Sequence, residues 1–430
     1  MLERRFQMVV CLALVSALVA GCAPVGPAAQ ADVAKSDKQR AAALAPEQAG
    51  VPELVQGNTA FALDLYRALF AARANQFSSP YSVSLALAMT YAGARGDTER
   101  QMAQALHFTL AQEKLHAAFN ALEAELARRG EGKEAEAFRL KIANALWAQK
   151  GYQFLPAYLD LLAQNYGAGV RLADFVKAAE EWRQAINRWV SEQTEEKVKD
   201  LLPPGSIDSV TRLVLSNAIY FKAAWQKPFS ADQTADAAFY TLDGKSVQVP
   251  MMAQTESLAY GEGPGFQAVE LPYAGGQLSM LILLPASGEF ERLAQGLNAA
   301  QLAGILSGMR EHRVQLSMPR FRFESSFQLK PALQGLGMTD AFGAAADLSG
   351  MDGSRDLFVS DAYHKAFVAV DEKGTEAAAA TAVVISLKAA PMPQETVEMR
   401  LERPFLFLIR DIPTGAVLFA GHVVNPLAGS

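Results

Sequence analysis

Between Asp371 and Lys388 the chain reads Asp-Glu-Lys-Gly-Thr-Glu-Ala-Ala-Ala-Ala-Thr-Ala-Val-Val-Ile-Ser-Leu-Lys, a polar hinge leading into small and then β-branched residues. No turn residue interrupts it before Pro391 and Pro393. Read locally it is a strand, and strand periodicity puts Thr375, Ala377, Ala379 and Thr381 on one face, small enough to enter a tight interior. A bare strand of this kind invites pairing with other chains. The fold must therefore bury it, or hold it ready to be buried.

The rest of the chain sets the frame. Of 430 residues, 50% are hydrophobic and 20% charged, an ordinary globular balance that supports a large core. A formal charge of −6 gives no electrostatic case for nucleic acid or anionic lipid. The two cysteines are Cys11 and Cys22. Both lie at the N-terminus, so the folded domain is expected to have no disulfide, thiolate metal site or cysteine nucleophile.

Residues 1–21 read as a targeting segment. Arg4 and Arg5 precede a short apolar run from Met8 to Ala20, too short to span a bilayer well. Val19-Ala20-Gly21-Cys22 matches a bacterial lipobox, which places cleavage before Cys22 and a lipid on its sulfur; the alternative is an ordinary secretory signal. The expected location is a bacterial cell envelope. Ala23 in place of an aspartate favours the outer membrane. Residues 22–54, poor in large apolar side chains, read as a flexible tether, and residues 55–428 as one domain.

Within that domain helical patterns come first. Phe61, Leu65 and Leu69 recur at four-residue spacing, Ser79-Pro80 opens a helix running to about Gly93, and Asp97 or Thr98 caps another. Pro156–Gln164 and Glu180–Gln193 continue the series, the latter with a Trp182, Ile186, Trp189, Val190 stripe that reads as core packing. Strand patterns then dominate: Leu213–Phe221, a Gln267–Leu284 hairpin about Gly275-Gly276, Val314–Phe323, Tyr363–Val370, Val397–Leu401, Phe405–Ile409 and Val417–Val424. Helices before strands predict an α+β fold. The Lys197-Val-Lys199 pair reads as a solvated helix face.

Enzyme motifs are missing. There is no G-x-S-x-G, S-x-x-K, H-E-x-x-H or P-loop, and His107, His116, His312, His364 and His422 have no metal spacing. Gly261-Glu-Gly-Pro-Gly265 lacks a following lysine and helix and reads as a turn. Neither a cofactor nor enzymatic activity is expected.

The segment beginning at His364 and passing through Gly374 into the alanines resembles the reactive-loop hinge of the serpins, suicide inhibitors of serine proteases. Asn75–Ser82, Val214–Trp225, Leu271–Ile282, Leu336–Phe342, Arg403–Ile409 and Gly421–Pro426 resemble further serpin segments in the same order. Together they cover roughly residues 55 to 427. The resemblance implies a monomer with an N-terminal helical part, three mostly antiparallel sheets and an exposed reactive loop at about 372–396. It implies that a target serine protease is acylated on the loop and carried off as the cleaved loop enters the main sheet.

The hinge is then Glu372, Gly374, Thr375, Glu376, Ala377, Ala378, Ala379, Ala380 and Thr381, with Glu376 on the wet face. Non-inhibitory serpins tend to carry bulky, charged or proline residues here, and Ala377 to Ala380 are none of these. Family spacing puts the scissile bond at Lys388-Ala389, suited to a trypsin-like pocket. Leu387, for a chymotrypsin- or subtilisin-like enzyme, and Met392 are alternatives, because the stretch to Pro404 is longer than in common members. Ser79, Ser82, Asn217 and His364 match the polar cluster beneath the sheet's opening point, and Trp225 the tryptophan where the loop first enters. Polyanion activation is not implied, since no dense basic cluster is present. A serpin-fold binding protein that traps nothing is the second reading; a hydrolase ranks last.

Overall fold

The computed structural model of the protein describes residues 31–129, 138–376 and 395–428. Its strands in chain order are β1 (Asp32–Ala34), β2 (Gln76–Ser78), β3 (Phe138–Gln149), β4 (Val170–Ala173), β5 (Leu213–Ala224), β6 (Ala235–Tyr240), β7 (Ser246–Gly263) and β8 (Phe266–Pro272). They continue as β9 (Leu278–Pro285), β10 (Arg310–Pro319), β11 (Phe321–Gln328), β12 (Val359–Asp371), β13 (Gly374–Thr375), β14 (Thr396–Arg400), β15 (Phe405–Asp411) and β16 (Val417–Val423).

Seven of them form one sheet in the order β1-β4-β3-β5-β13-β12-β11, and nine form a second hydrogen-bonded network. The α+β class holds, but the expected three sheets are two networks among the described residues. The cause is β7, 18 residues long. It pairs with β6 at its start, with β10 through its middle and with β8 at its end, so two of the three sheets share it.

Helix Pro80–Tyr91 is buried along its whole length and lies in the middle of the molecule. A helix apolar on every side belongs in a core. Ser79 caps it, its hydroxyl accepting from the Ser82 amide at 3.2 Å, and Pro80 takes the first position, where a missing N–H costs nothing. The next helix, Gly96–Ala105, starts from Arg95, with Asp97 inside its first turn rather than capping it.

Helix Phe175–Gln193 covers one face of the seven-stranded sheet. Ile186 and Val190 pack with Trp147, Val214, Ala218 and Tyr363, so the aromatic stripe does serve as core. The opposite face of the same strands, including Leu213, Leu215, Ile219 and Phe221, meets the main core. The sheet is thus buried on both faces, and any strand added to it must suit two interiors.

Two expectations about elements fail. Val314–Phe323 is not one strand: β10 ends at Pro319 and β11 begins at Phe321, in different networks. Pro319 has no N–H to continue a ladder. The flexible tether is also wrong from Ala31 onward, residues 22–30 lying outside the described residues. β1 extends the large sheet by pairing with β4, and Ser36 donates to Asp160 at 2.5 Å. Arg40 donates to Asn120 and Glu123 at 2.7 and 2.8 Å, and the Ala41 amide donates to Gln164 O at 2.8 Å. A short helix, Pro46–Ala49, then leads into Val51–Ala68. Backbone and polar side chains fix this strap, and an apolar count does not register such bonds.

Candidate functional site

The middle of the seven-stranded sheet contains an exception. β5 and β12 run parallel, from Leu213 beside Val359 to Tyr220 beside Phe367 with one register shift at Ser360, while β3 and β11 flank them antiparallel. Beyond Phe367 the two strands part. β12 continues to Asp371 and turns, and the chain comes back as β13 in the gap, antiparallel to both neighbours. The hinge expected from sequence therefore enters the sheet, and it does so at one end only.

Local chemistry makes that turn. The Asp371 carboxylate accepts from the Lys373 and Gly374 amides at 2.8 and 3.2 Å, a side-chain-closed turn. A Cβ on Gly374 would meet the Ala223 carbonyl oxygen at 2.1 Å. Only glycine allows the two backbones to approach this closely. Thr375 is buried, and its hydroxyl lies 2.8 Å from that of Tyr273. Tyr273 stacks flat on Trp225, ring centres 4.6 Å apart. Trp225 donates its indole N–H to Asp371 O at 3.0 Å and its amide to Lys373 O at 2.8 Å, which holds it against the hinge turn.

Glu372 is anchored too. Thr234 and Arg320 Nε donate to its Oε1 at 2.5 and 2.8 Å. Burial raises its pKa, but the hydrogen bonds from Arg320 and Thr234 outweigh that and hold it below the ordinary range. At Glu376 the chain leaves the sheet. Its amide still donates to Ala369 O at 2.7 Å, yet its φ is +46°. A left-handed conformation at a non-glycine residue costs roughly 1–2 kcal/mol. Glu376 is not on a wet face as expected: it is half-buried and ion-paired to Lys197, and its Oε2 is buried with no hydrogen-bond partner among the described residues. Lys197, in the turn after helix Phe175–Gln193, is accordingly no solvated helix lysine.

Lower in the sheet, the expected polar cluster assembles across β3, β5 and β12. The Ser79 amide donates to His364 Nε2 at 2.9 Å. That nitrogen must therefore be unprotonated, so Nδ1 carries the hydrogen and donates to Asn217 Oδ1. Asn217 Nδ2 donates to Ser82 Oγ at 2.7 Å, and the Ser79 hydroxyl donates to Leu418 O at 2.7 Å. Burial drives the pKa of His364 down to about 3. The cluster ties the central helix to both sides of the β5–β12 seam.

Sequence reading missed several members. Asn144 on β3 accepts from the Ser82 hydroxyl at 3.1 Å, and Asn217 donates to it as well. Tyr273, Thr234, Arg320 and Lys197 were missed at the hinge. The expected residues Ala377, Ala378, Ala379, Ala380, Thr381, Leu387, Lys388, Ala389, Met392 and Cys22 lie outside the described residues.

Fold and site together define a protein whose large sheet has a seam between β5 and β12, entered at one end by the short strand β13. Residues 56–426 match the family model described as Serpin (serine protease inhibitor). The leukocyte elastase inhibitor of Sus scrofa is 44% identical over 387 residues, 87% of this chain and 100% of that protein. A serpin-like protein of Thermococcus kodakarensis is 39% identical over 376 residues, 87% of this chain and 86% of its own. Among solved structures, native tengpin, a thermophilic serpin, has a TM-score of 0.80 at 27% identity, covering 92% of this chain and 100% of its own. Uncleaved ovalbumin has a TM-score of 0.77 at 30% identity, covering 87% of this chain and 100% of its own. The chain belongs to the serpin family. These relatives lend no support to the bacterial lipoprotein type expected from Cys22.

Proposed function

We propose that the protein is a suicide-substrate inhibitor of serine proteases whose loop, once cut, fills the β5–β12 seam. The observation that carries this reading is β13, already seated in the seam and antiparallel to both neighbours. Continuing its register sets Ala377 beside Phe221 and Val368, Ala379 beside Ile219 and Ala366, and Thr381 beside Asn217 and His364. These partners belong to the main-core face, where small side chains fit. Thr381 would arrive at the polar cluster as a hydroxyl among hydroxyl, amide and imidazole groups.

Energetics favour the exchange. One parallel pairing is replaced by two antiparallel ones, and parallel pairing is the slightly weaker kind. Some 15 residues gaining main-chain hydrogen bonds at about 0.5–1.5 kcal/mol each amount to on the order of 10 kcal/mol. Straightening Glu376 releases its left-handed strain as well. Serpins are themselves an established instance of strand addition and of strain released by cleavage.

The reactive bond in this reading is Lys388-Ala389, and the target is trypsin-like; Leu387 and Met392 remain the alternative sites. Its relatives include leukocyte elastase inhibitors, which favours inhibition over a binding-only role. A lipid on Cys22 would hold the protein at a bacterial envelope, facing the periplasm or the exterior. Because the chain is packed from Ala31 onward, the leash is residues 22–30, at most about 30 Å when extended.

Mixing the protein with trypsin tests the reading. The expected result is an adduct that survives SDS, with the mass of the released peptide placing the cut after Lys388. Rapid cleavage without an adduct by trypsin, chymotrypsin and subtilisin alike would overturn it in favour of the binding-only serpin fold.

A further inference from the structure

The first described residues lie at the foot of the large sheet, the end at which β5 begins. Ala31 packs against the Trp147 and Phe175 cluster, and Asp32 sits beside Leu172 near the end of β4. Lys150, just past the end of β3, pairs with Asp32 at 3.2 Å. The hinge closes the opposite end. β5 is 12 residues long, which puts roughly 36 Å between foot and hinge.

Three large apolar side chains stand in solvent at this foot: Leu155, Val176 and Val210, the last 63% exposed and so no part of the core. Their backbones are joined. The Val176 amide donates to Gln149 Oε1 at 3.1 Å, and the Gln149 amide donates at 2.8 Å to the carbonyl of Arg212, two residues after Val210. Arg212 is within electrostatic reach of Tyr152, three residues before Leu155. Apolar side chains scattered singly over a surface mean nothing, but a group of them marks a contact. The charges beside them are mixed. Lys150 and Lys177 pair with Asp32 and Asp174, and Arg212 shares the foot with Asp208, Asp352 and Asp356. Residues 22–30 add no charged side chain. The foot thus has no positive excess for anionic headgroups.

We propose that this foot, through Leu155, Val176 and Val210, rests on a phospholipid bilayer and directs the hinge and loop away from it. The proposal rests on the reading of Cys22 as lipidated. Residues 22–30 span at most about 30 Å, so a bilayer lying beyond the hinge is out of reach of the leash. The foot is within reach, since the start of β5 is three strand spacings from β1, roughly 14 Å. Once the lipid is inserted the contact is intramolecular, and a high effective concentration lets three side chains suffice. If the loop inserts, β13's register continued to residue 385 ends beside Leu213. The cut loop would then bring its protease to this same foot and lift it from the bilayer, so docking belongs to the intact protein.

Single cysteines test the orientation. Cys11 is removed with the signal in this reading and the Cys22 sulfur carries the lipid, so one added thiol can be labelled alone. The intact lipoprotein, as Val176→Cys, Val210→Cys or Gln226→Cys, is labelled with nitrobenzoxadiazole and placed in phosphatidylcholine vesicles. All three side chains are exposed, so the core is spared. Blue-shifted emission, quenched by nitroxide-bearing lipid, is expected at Val176→Cys and Val210→Cys, with neither at Gln226→Cys beside the hinge; raised salt should change nothing. Sedimentation with vesicles but no quenching at the foot, or equal quenching at all three sites, overturns the orientation alone. Disulfide-linked pairs of unlabelled Val210→Cys without foot quenching would give the patch to a second copy of the chain and overturn it too. Failure to sediment strikes the lipid on Cys22 and the docking with it. The trypsin adduct is a separate assay whose failure leaves this result standing.

Discussion

The two ends of the β5–β12 seam differ in what fills them. At the hinge end Gly374 and Thr375 occupy the gap, and the turn is held by Asp371, Trp225, Phe229, Thr234, Tyr273 and Arg320. At the other end the strands pair directly, and the contacts across them come from Ser79, Ser82, Asn217 and His364. The first end displays the inserted arrangement in miniature. The second is closed by side-chain hydrogen bonds that a strand bearing a small polar residue could replace. In the proposed insertion, opening would therefore run from a finished junction toward a replaceable one, which would give insertion a direction.

The comparison breaks most sharply at Ala377, the next residue due on the core face. Ala377→Arg would place a guanidinium against Phe221 and Val368, both buried. An unpaired buried charge costs several kcal/mol. Trapping should be lost while cleavage continues, seen on gels as cut protein without adduct. Undiminished adduct would count against insertion.

His364 tests the closed end. His364→Ala leaves the Ser79 amide and Asn217 without their partner and should cost on the order of 2–3 kcal/mol in denaturant unfolding. Acid should do the same in the native protein. His364 is held neutral, to about 3, by burial, whereas an unfolded histidine titrates near 6.5. The folded state thus binds fewer protons than the unfolded one between those values. Stability is present above about pH 6.5 and is lost as pH falls toward 3. Burial lowers His116 and His422 to about 4, which adds in the same direction. Melting measured from pH 6.5 down to 4.5 should fall, with a shallower slope in His364→Gln; parallel slopes would remove His364 from the account.

The smallest effect belongs to the hinge end. Tyr273→Phe keeps the stack on Trp225 and removes only the hydrogen bond to Thr375. About 1 kcal/mol of stability should be lost. A larger loss would mean that Tyr273 supports more of the junction than Thr375 alone.

Much of this was legible in the chain. The hinge at Gly374 and Thr375 was visible as the one glycine in a polar stretch, and Ser79-Pro80 announced the central helix. Its cap was read from Ser79 itself, and its polar partners followed from the resemblance. What escaped had physical reasons. Asn144, Thr234, Tyr273 and Arg320 come from separate strands and loops, Thr234 lying 138 residues from the Glu372 it bonds. No local pattern encodes such a meeting. The strap from Ala31 looked like a tether because main-chain pairing and Arg40 hold it, with little apolar area involved. Pro319, by contrast, was a visible signal that should have divided Val314–Phe323 into two strands.

The central claim is that the cut loop becomes a strand of the large sheet, and thermal unfolding before and after cleavage tests it most directly. Limited subtilisin digestion within residues 377–394, confirmed by mass, supplies the cleaved form. An added strand contributing on the order of 10 kcal/mol should raise the melting temperature by roughly 20 °C or more. A melting temperature that is unchanged or lower after cleavage would contradict insertion and leave the seam without the role proposed for it.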